Sequence, residues 1–207
     1  ADYAIGSTYA MNLTDRFSVG FNGKYIQQSI ANSHAKGFAV DFGTLFITPF
    51  GFTLGTSISN FGPKLRMTGD DLLIGADVDE NIEGNNESVT GVLSTDYFDL
   101  PLVLRIGVSE QFQMGPRNQI IISADAISPN DNANYINAGL KLQLLDGLIS
   151  LYAGANSLFL DNAESEFSLG GGITIPQILN NSLSVYFTHE QMKFLGNSQQ
   201  LSISFNY

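Results

Sequence analysis

Cysteine is absent from the 207 residues, which removes disulfide scaffolds, thiolate metal sites and cysteine nucleophiles together. Charge is scarce too: Asp, Glu, Lys and Arg make up 14% of the chain, against roughly 25% in an ordinary soluble domain. Basic residues number 9 against 20 acidic ones, for a net charge of −11. That balance repels nucleic-acid phosphates and offers no basic patch to anionic headgroups, so nucleic acid is not an expected partner. No run approaches the roughly 20 consecutive apolar residues that a membrane helix needs. The N-terminus also lacks the basic, then apolar, then small-residue succession of a secretory signal.

Hydrophobic residues make up 43% of the chain, so Gly, Ser, Asn and Thr have taken the place of the missing charge. That exchange suits a crowded, wet barrel interior better than a soluble surface. The dominant pattern is alternation with a period of two. Leu201, Ile203, Phe205 and Tyr207 alternate with Ser202, Ser204 and Asn206. Leu183, Val185 and Phe187 alternate with Ser184, Tyr186 and Thr188, and Ile136 through Leu144 behaves in the same way. Further segments run over 17–25, 38–46, 102–108, 120–126, 149–155 and 167–175. Successive strand side chains point to opposite faces, so each segment has one apolar and one small, polar face. The fold class is all-β.

Charge placement separates a membrane barrel from a soluble sandwich. The apolar faces carry essentially no ionisable residue. The polar faces carry a few of both signs, namely Lys24, Asp41, Arg105, Asp125, Lys141 and Glu190. A soluble sandwich covers its solvent face with Lys and Glu, whereas a lipid-facing wall excludes charge at about 2–4 kcal/mol per Arg or Lys at the bilayer midplane. Aromatic residues fall near segment ends, where interfacial girdles sit. The sequence therefore predicts an antiparallel transmembrane β-barrel, integral to the bacterial outer membrane and in contact with its lipid.

The connections alternate in length. Short ones are expected at Leu13–Arg16, Thr48–Gly51, Met114–Asn118, Leu145–Gly147 and Gln177–Ser182. Longer ones are expected at Ala31–Lys36, from Gly62 to about Asp96, and at Ser128–Asn134, Leu158–Glu166 and Lys193–Ser198. Short periplasmic turns and longer extracellular loops are the rule for such barrels. Counting back from the C-terminus gives about eleven strands, whereas single-chain bacterial barrels use an even number. The expectation is one barrel domain over 1–207 that lacks its N-terminal strands, with a long extracellular acidic loop over 63–96.

Several blocks resemble the PorV/PorQ family of outer-membrane proteins, relatives of the FadL long-chain fatty-acid transporters. They are Leu13-Thr-Asp-Arg-Phe-Ser-Val-Gly20, Ser57-Ile-Ser-Asn-Phe-Gly62, Asp70-Asp-Leu-Leu73, Asp99-Leu-Pro-Leu102 with Arg105-Ile-Gly-Val108, Asp125-Ala-Ile-Ser-Pro-Asn-Asp-Asn132, and Ser157-Leu-Phe-Leu-Asp161. The resemblance implies a FadL-like barrel with about 11 of roughly 14 strands present here, an even total as the barrel rule requires. It also implies a role in type IX secretion, in which the barrel receives secreted cargo proteins through their C-terminal domains and passes them on for surface attachment. The alternatives are FadL-like transport of a hydrophobic ligand such as a long-chain fatty acid, and a soluble β-domain that binds a partner.

Two groups of residues are candidate sites. The long loop sets Asp70, Asp71, Asp77, Asp79, Glu80, Glu83 and Glu87 around Leu72, Leu73 and Ile74. Acidic residues there would steer a partner and the apolar triplet would anchor it. Asp77, Asp79 and Glu80 could instead offer hard oxygen ligands to calcium, although their spacing does not fit the EF-hand pattern. On the polar faces, Lys24 and Asp41 lie on consecutive strands, as do Arg105, Asp125 and Lys141. Strands about 4.8 Å apart let such charges pair across the wall, and a selectivity role is the alternative. His34 and His189 have no serine at a spacing that makes a triad, and Gly170-Gly-Gly172 has no helix after it to cradle a phosphate. No cofactor and no catalytic activity are expected.

Overall fold

The computed structural model of the chain describes residues 1–76, 89–161, 163, 165–178, 181–193 and 196–206. Four strands open it: β1 (Tyr3–Thr14), β2 (Phe17–Ile30), β3 (Ser33–Ile47) and β4 (Thr53–Phe61). Five short ones follow: β5 (Leu65–Arg66), β6 (Thr68–Gly69), β7 (Leu73–Ala76), β8 (Val89–Val92) and β9 (Tyr97–Phe98). Seven long ones complete it: β10 (Val103–Gln113), β11 (Gln119–Pro129), β12 (Tyr135–Leu144), β13 (Ile149–Leu158), β14 (Ser165–Ile178), β15 (Asn181–Met192) and β16 (Asn197–Asn206). The hydrogen-bonded order is β1-β2-β3-β4-β10-β11-β12-β13-β14-β15-β16, with β6 added to β3 to give a 12-stranded sheet. The all-β antiparallel class expected from the alternation is what forms, and the eleven long strands match the expected count. No helix among the described residues is long and apolar enough to cross a membrane.

Register turns the alternation into two chemically distinct faces. One cross-strand row runs Ser109, Ser123, Gly139, Gly154, Ser168 and Glu190, and the next runs Gln111, Ile121, Lys141, Tyr152, Gly170 and Thr188. The opposite face carries Val108, Ala124, Ala138, Ala155 and Phe167 in the same order. One face is therefore mostly small and polar, with Ile121 and Tyr152 as large members, and the other is apolar; a one-residue slip would exchange the faces of the slipped strand.

Glycines on the polar face are seats for larger neighbours. A Cβ at Gly172 would fall against the Tyr186 ring, and one at Gly107 would fall on the Asp125 carboxylate. The missing side chain lets the group on the next strand lie flat on the wall.

Two connections are shorter than the sequence suggests. Only Ala31 and Asn32 separate β2 from β3, so Ser33 to Lys36 belongs to a strand and His34 is not in a loop. Its polar residues alternate with Ala35, Gly37 and Ala39, of which Ala35 and Ala39 are buried, so the ladder continues where composition alone reads as loop. Likewise β15 reaches Met192 and β16 begins at Asn197. At the β12–β13 turn Leu145 and Asp146 both take positive φ, 54° and 60°, the backbone of a primed hairpin turn. Asn118 steadies it by accepting the Leu145 N–H at 3.1 Å.

Residues 1–10, 20–42 and 58–102 form one compact unit, and residues 11–19, 43–57 and 103–207 form another. The first holds a small core of Ala35, Ala39, Leu65 and Leu100, with Ile26 and Met67 against it. Leu65 lies over Gly37 and β6 pairs with β3, which ties the segment after β4 back onto β3, and β5 pairs with β9. The second unit contains the continuous ladder from β10 to β16.

Gly172→Ala is expected to destabilise the fold by about 1–3 kcal/mol, the range for overpacking a filled site. Gly23→Ala, where an added Cβ meets nothing within 4 Å, should change stability by less than about 0.5 kcal/mol. Urea unfolding of the two variants in lipid vesicles measures the difference.

Candidate functional site

The polar face of the first unit is organised by one ion pair. Lys24 Nζ stands 2.7 Å from Asp41 Oδ1, with the two side chains 18% and 24% exposed. Asn22 Nδ2 donates to Asp41 Oδ2 at 2.9 Å and the Asn60 N–H donates to Asp41 Oδ1 at 2.7 Å. Lys24 also donates to Asn60 Oδ1, and Asn60 Nδ2 donates to the Pro101 carbonyl at 2.8 Å. Asn60 reaches all three because its φ is +62°, a conformation that Asn tolerates better than most residues. The expected pairing of Lys24 with Asp41 is present. The two asparagines that complete it were not among the expected site residues, although Asn60 lies inside the Ser57–Gly62 block.

The charges of the second unit behave differently. Arg105 and Asp125 line one recess of about 280 Å³ together with Thr53, Ser57, Ser109 and Ser123. Among the described residues, neither Arg105 nor Asp125 makes an ion pair. Asp125 pairs with Gly107 in register and leans onto it, whereas Arg105 pairs with Ile127. Lys141 takes no carboxylate partner among the described residues. Its Nζ lies 5.5 Å from the centroid of Tyr152, and Tyr152 meets Tyr186 edge-on at 6.1 Å. A second recess of about 310 Å³ lies beside them, with Gly139, Gly154 and Gly170 in its lining. Gln111, Gln119 and Gln143 form an amide ladder across β10, β11 and β12, and Glu190 accepts from Asn156 and Ser165. The expected direct pairing of Arg105, Asp125 and Lys141 does not form, because the glycine seat draws Asp125 toward Gly107 and the aromatic ring holds Lys141.

The segment after β4 is more ordered than a plain acidic loop. Asp70, Asp71 and Leu72 form a short 3-10 turn, and β7 and β8 form an antiparallel ribbon that pairs Leu73 with Val92 and Ile74 with Gly91. Asp71 is an anchor: the Asn32 N–H donates to its Oδ2 at 2.7 Å and Asn32 Nδ2 donates to its Oδ1 at 3.0 Å. Those two hydrogen bonds, the backbone one first, hold its carboxyl below the usual carboxylate value. Leu73 and Ile74 are 48% and 41% exposed, and Val92 is 68% exposed. Asp77, Asp79, Glu80, Glu83 and Glu87, and with them the calcium alternative, lie outside the described residues.

The opposite face of the sheet is apolar and open. Leu201, Ile203 and Phe205 are 65%, 60% and 71% exposed, whereas Ser150 and Ser184 on the polar face are 3% and 2% exposed. In the first unit, aromatic rings meet on the face opposite Lys24 and Asp41, with Tyr25 5.4 Å from Phe38 and Phe21 5.0 Å from Phe42.

No family model matches the chain, and no curated protein is similar to it. Among solved structures the chain is similar to the crystal structure of a Pseudomonas aeruginosa FadL homologue. The identity is 13% and the TM-score 0.49, over 99% of this chain and 65% of that one. The chain thus spans 65% of that protein's length, and a likeness at this level carries no functional information.

Asp41→Asn should lower stability by about 2 kcal/mol, between the values for an exposed and a buried pair. Arg105→Gln should be nearly neutral, and urea unfolding midpoints in vesicles measure both.

Protonating Asp71 removes its acceptor charge. Because its folded pKa is depressed, its contribution is present above the unfolded value of 3.8 and is lost as pH falls through the lower folded value. The Asn32 amide should therefore resist hydrogen exchange at pH 5 in the wild type and lose protection at the same pH in Asp71→Ala.

Proposed function

We propose that the chain forms the wall of an integral β-barrel of the bacterial outer membrane, and that it docks exported proteins through the β7–β8 ribbon. One observation carries the membrane assignment: large apolar side chains are exposed on one face of the sheet while serines on the other face are buried. In water, a charge-poor apolar face of this extent would drive aggregation; facing lipid, it is the required surface. An antiparallel sheet also satisfies its own backbone polar groups, as a membrane-spanning strand must. The aromatic contacts of Tyr25, Phe38, Phe21 and Phe42 suit the same face.

The docking assignment rests on the ribbon. Leu73 and Val92 form an exposed apolar pair on one side of a two-stranded element that Asp71 fastens to Asn32, and Ile74 is exposed on its other side. A fixed apolar patch preceded by acidic Asp70 and Asp71 can take an apolar segment of a partner while its charge steers the approach. Together with the resemblance to the PorV/PorQ family, this supports receipt of secreted cargo through C-terminal domains in a type IX-like pathway.

A second reading, FadL-like carriage of a hydrophobic small molecule, is favoured by an apolar recess of about 340 Å³ on the apolar face of the second unit, with Leu104, Ile106, Ile136 and Phe159 in its lining. Its size falls in the range of small-molecule sites, roughly 300–1,000 Å³.

Native mass spectrometry of the protein released from outer membranes in mild detergent separates the two readings. Docking predicts a co-purifying exported protein that Leu73→Ser combined with Ile74→Ser and Val92→Ser removes, with the β-sheet circular dichroism unchanged. Unaltered association in that variant contradicts docking at the ribbon. A fatty acid of discrete mass with no protein partner favours carriage.

A further inference from the structure

We infer that the recess between β4 and β11 on the polar face of the second unit is a binding site for a compact zwitterion, whose anionic group meets Arg105 and whose cationic group meets Asp125. The inference stands whether or not the ribbon docks exported proteins.

The molecule supplies its own comparison. Where opposite charges on neighbouring strands serve the wall alone, they close on each other, as Lys24 and Asp41 do at 2.7 Å. Arg105 and Asp125 lie on neighbouring strands, face the same recess and do not close. Arg105 and Gly107 share a face, and Asp125 stands opposite Gly107, so the two charged residues are diagonal neighbours within reach of long side chains. What keeps them apart is the seat: Gly107 has no Cβ, and the Asp125 carboxylate occupies that space.

The rest of the lining fits a small, doubly charged guest. Thr53, Ser57, Ser109 and Ser123 supply hydroxyls that can donate or accept. Gly55 and Gly107 deepen the recess, and Leu45 is in its lining. Among the described residues no aromatic ring lines it, so sugar stacking has no platform there. A volume of about 280 Å³ is at or just below the small end of ligand sites, roughly 300 Å³. A guanidinium offers paired donors to a carboxylate, and Asp125 offers acceptors to an ammonium group. A guest bearing both charges restores the pairing that the glycine seat prevents.

The test uses three probes with the wild-type protein in detergent micelles, followed by saturation-transfer NMR titration: glycylglycine, acetate and methylammonium. The inferred site binds glycylglycine at least about tenfold more tightly than either single-charge probe, as expected when two charged hydrogen-bonding groups act together. Arg105→Gln then weakens glycylglycine and acetate by about tenfold and leaves methylammonium unchanged, whereas Asp125→Asn weakens glycylglycine and methylammonium by about tenfold and leaves acetate unchanged. Lys141→Gln, outside the recess, leaves all three as they were. Glycylglycine binding no tighter than acetate or methylammonium overturns the inference without any variant being made. So does glycylglycine affinity that is the same in Arg105→Gln as in the wild type.

Discussion

A strict two-residue period with charge kept to one side is the constraint on which the rest of this structure depends. Antiparallel pairing satisfies the backbone within the sheet, so side chains alone decide what each face meets. Register then aligns like with like: Ser, Gly, Gln, Asn and the few charges along one face, Leu, Ile, Val, Phe and Ala along the other. The consequence is an exposed apolar face and a shielded polar one, the reverse of a water-soluble sheet protein. The proposed membrane placement accounts for the scarcity of charge, since a wall with lipid on one side has only one face on which to carry it.

Within the polar face, small residues decide where charge can settle. Lys24 and Asp41 close on each other because Asn22 and Asn60 complete their hydrogen bonding. Arg105 and Asp125 stay apart because Gly107 offers the carboxylate a different resting place. Lys141 lies against Tyr152, which in turn meets Tyr186. One sequence motif, opposite charges on adjacent strands, thus gives a structural pair at one place and an open recess at another. The difference comes from what surrounds each carboxylate: two asparagines at Asp41 and a glycine seat at Asp125.

The strands were legible in the sequence because period two survives in every long segment, and β16 shows it most plainly at Leu201, Ile203 and Phe205. The hairpin at 31–36 was less legible. Ser33, His34 and Lys36 look like loop residues by composition, and only the buried Ala35 and Ala39 between them reveal a strand. The Lys24–Asp41 pair could be anticipated from adjacent strands of opposite charge, but Asn60 could not, since its role depends on a positive φ that no local pattern signals. Arg105 and Asp125 were legible as polar-face charges, whereas their separation depends on where a carboxylate finds room, which only packing shows. The 63–96 segment is acidic in sequence, yet its described residues include a ribbon with exposed Leu73, Ile74 and Val92, and Asp71 acts as a fastening.

The central claim, that the apolar face meets lipid and the polar face meets water, can be tested directly because the chain has no native cysteine. Single cysteines placed in turn at Leu201, Ser202, Ile203, Ser204 and Phe205 report the surroundings of each position in β16. With the protein in outer membranes, a water-soluble maleimide should label Ser202→Cys and Ser204→Cys and spare the other three. A lipid-soluble reagent should show the opposite preference. Labelling without alternation, or water-soluble labelling at Leu201→Cys and Ile203→Cys equal to that at the serines, would contradict the account.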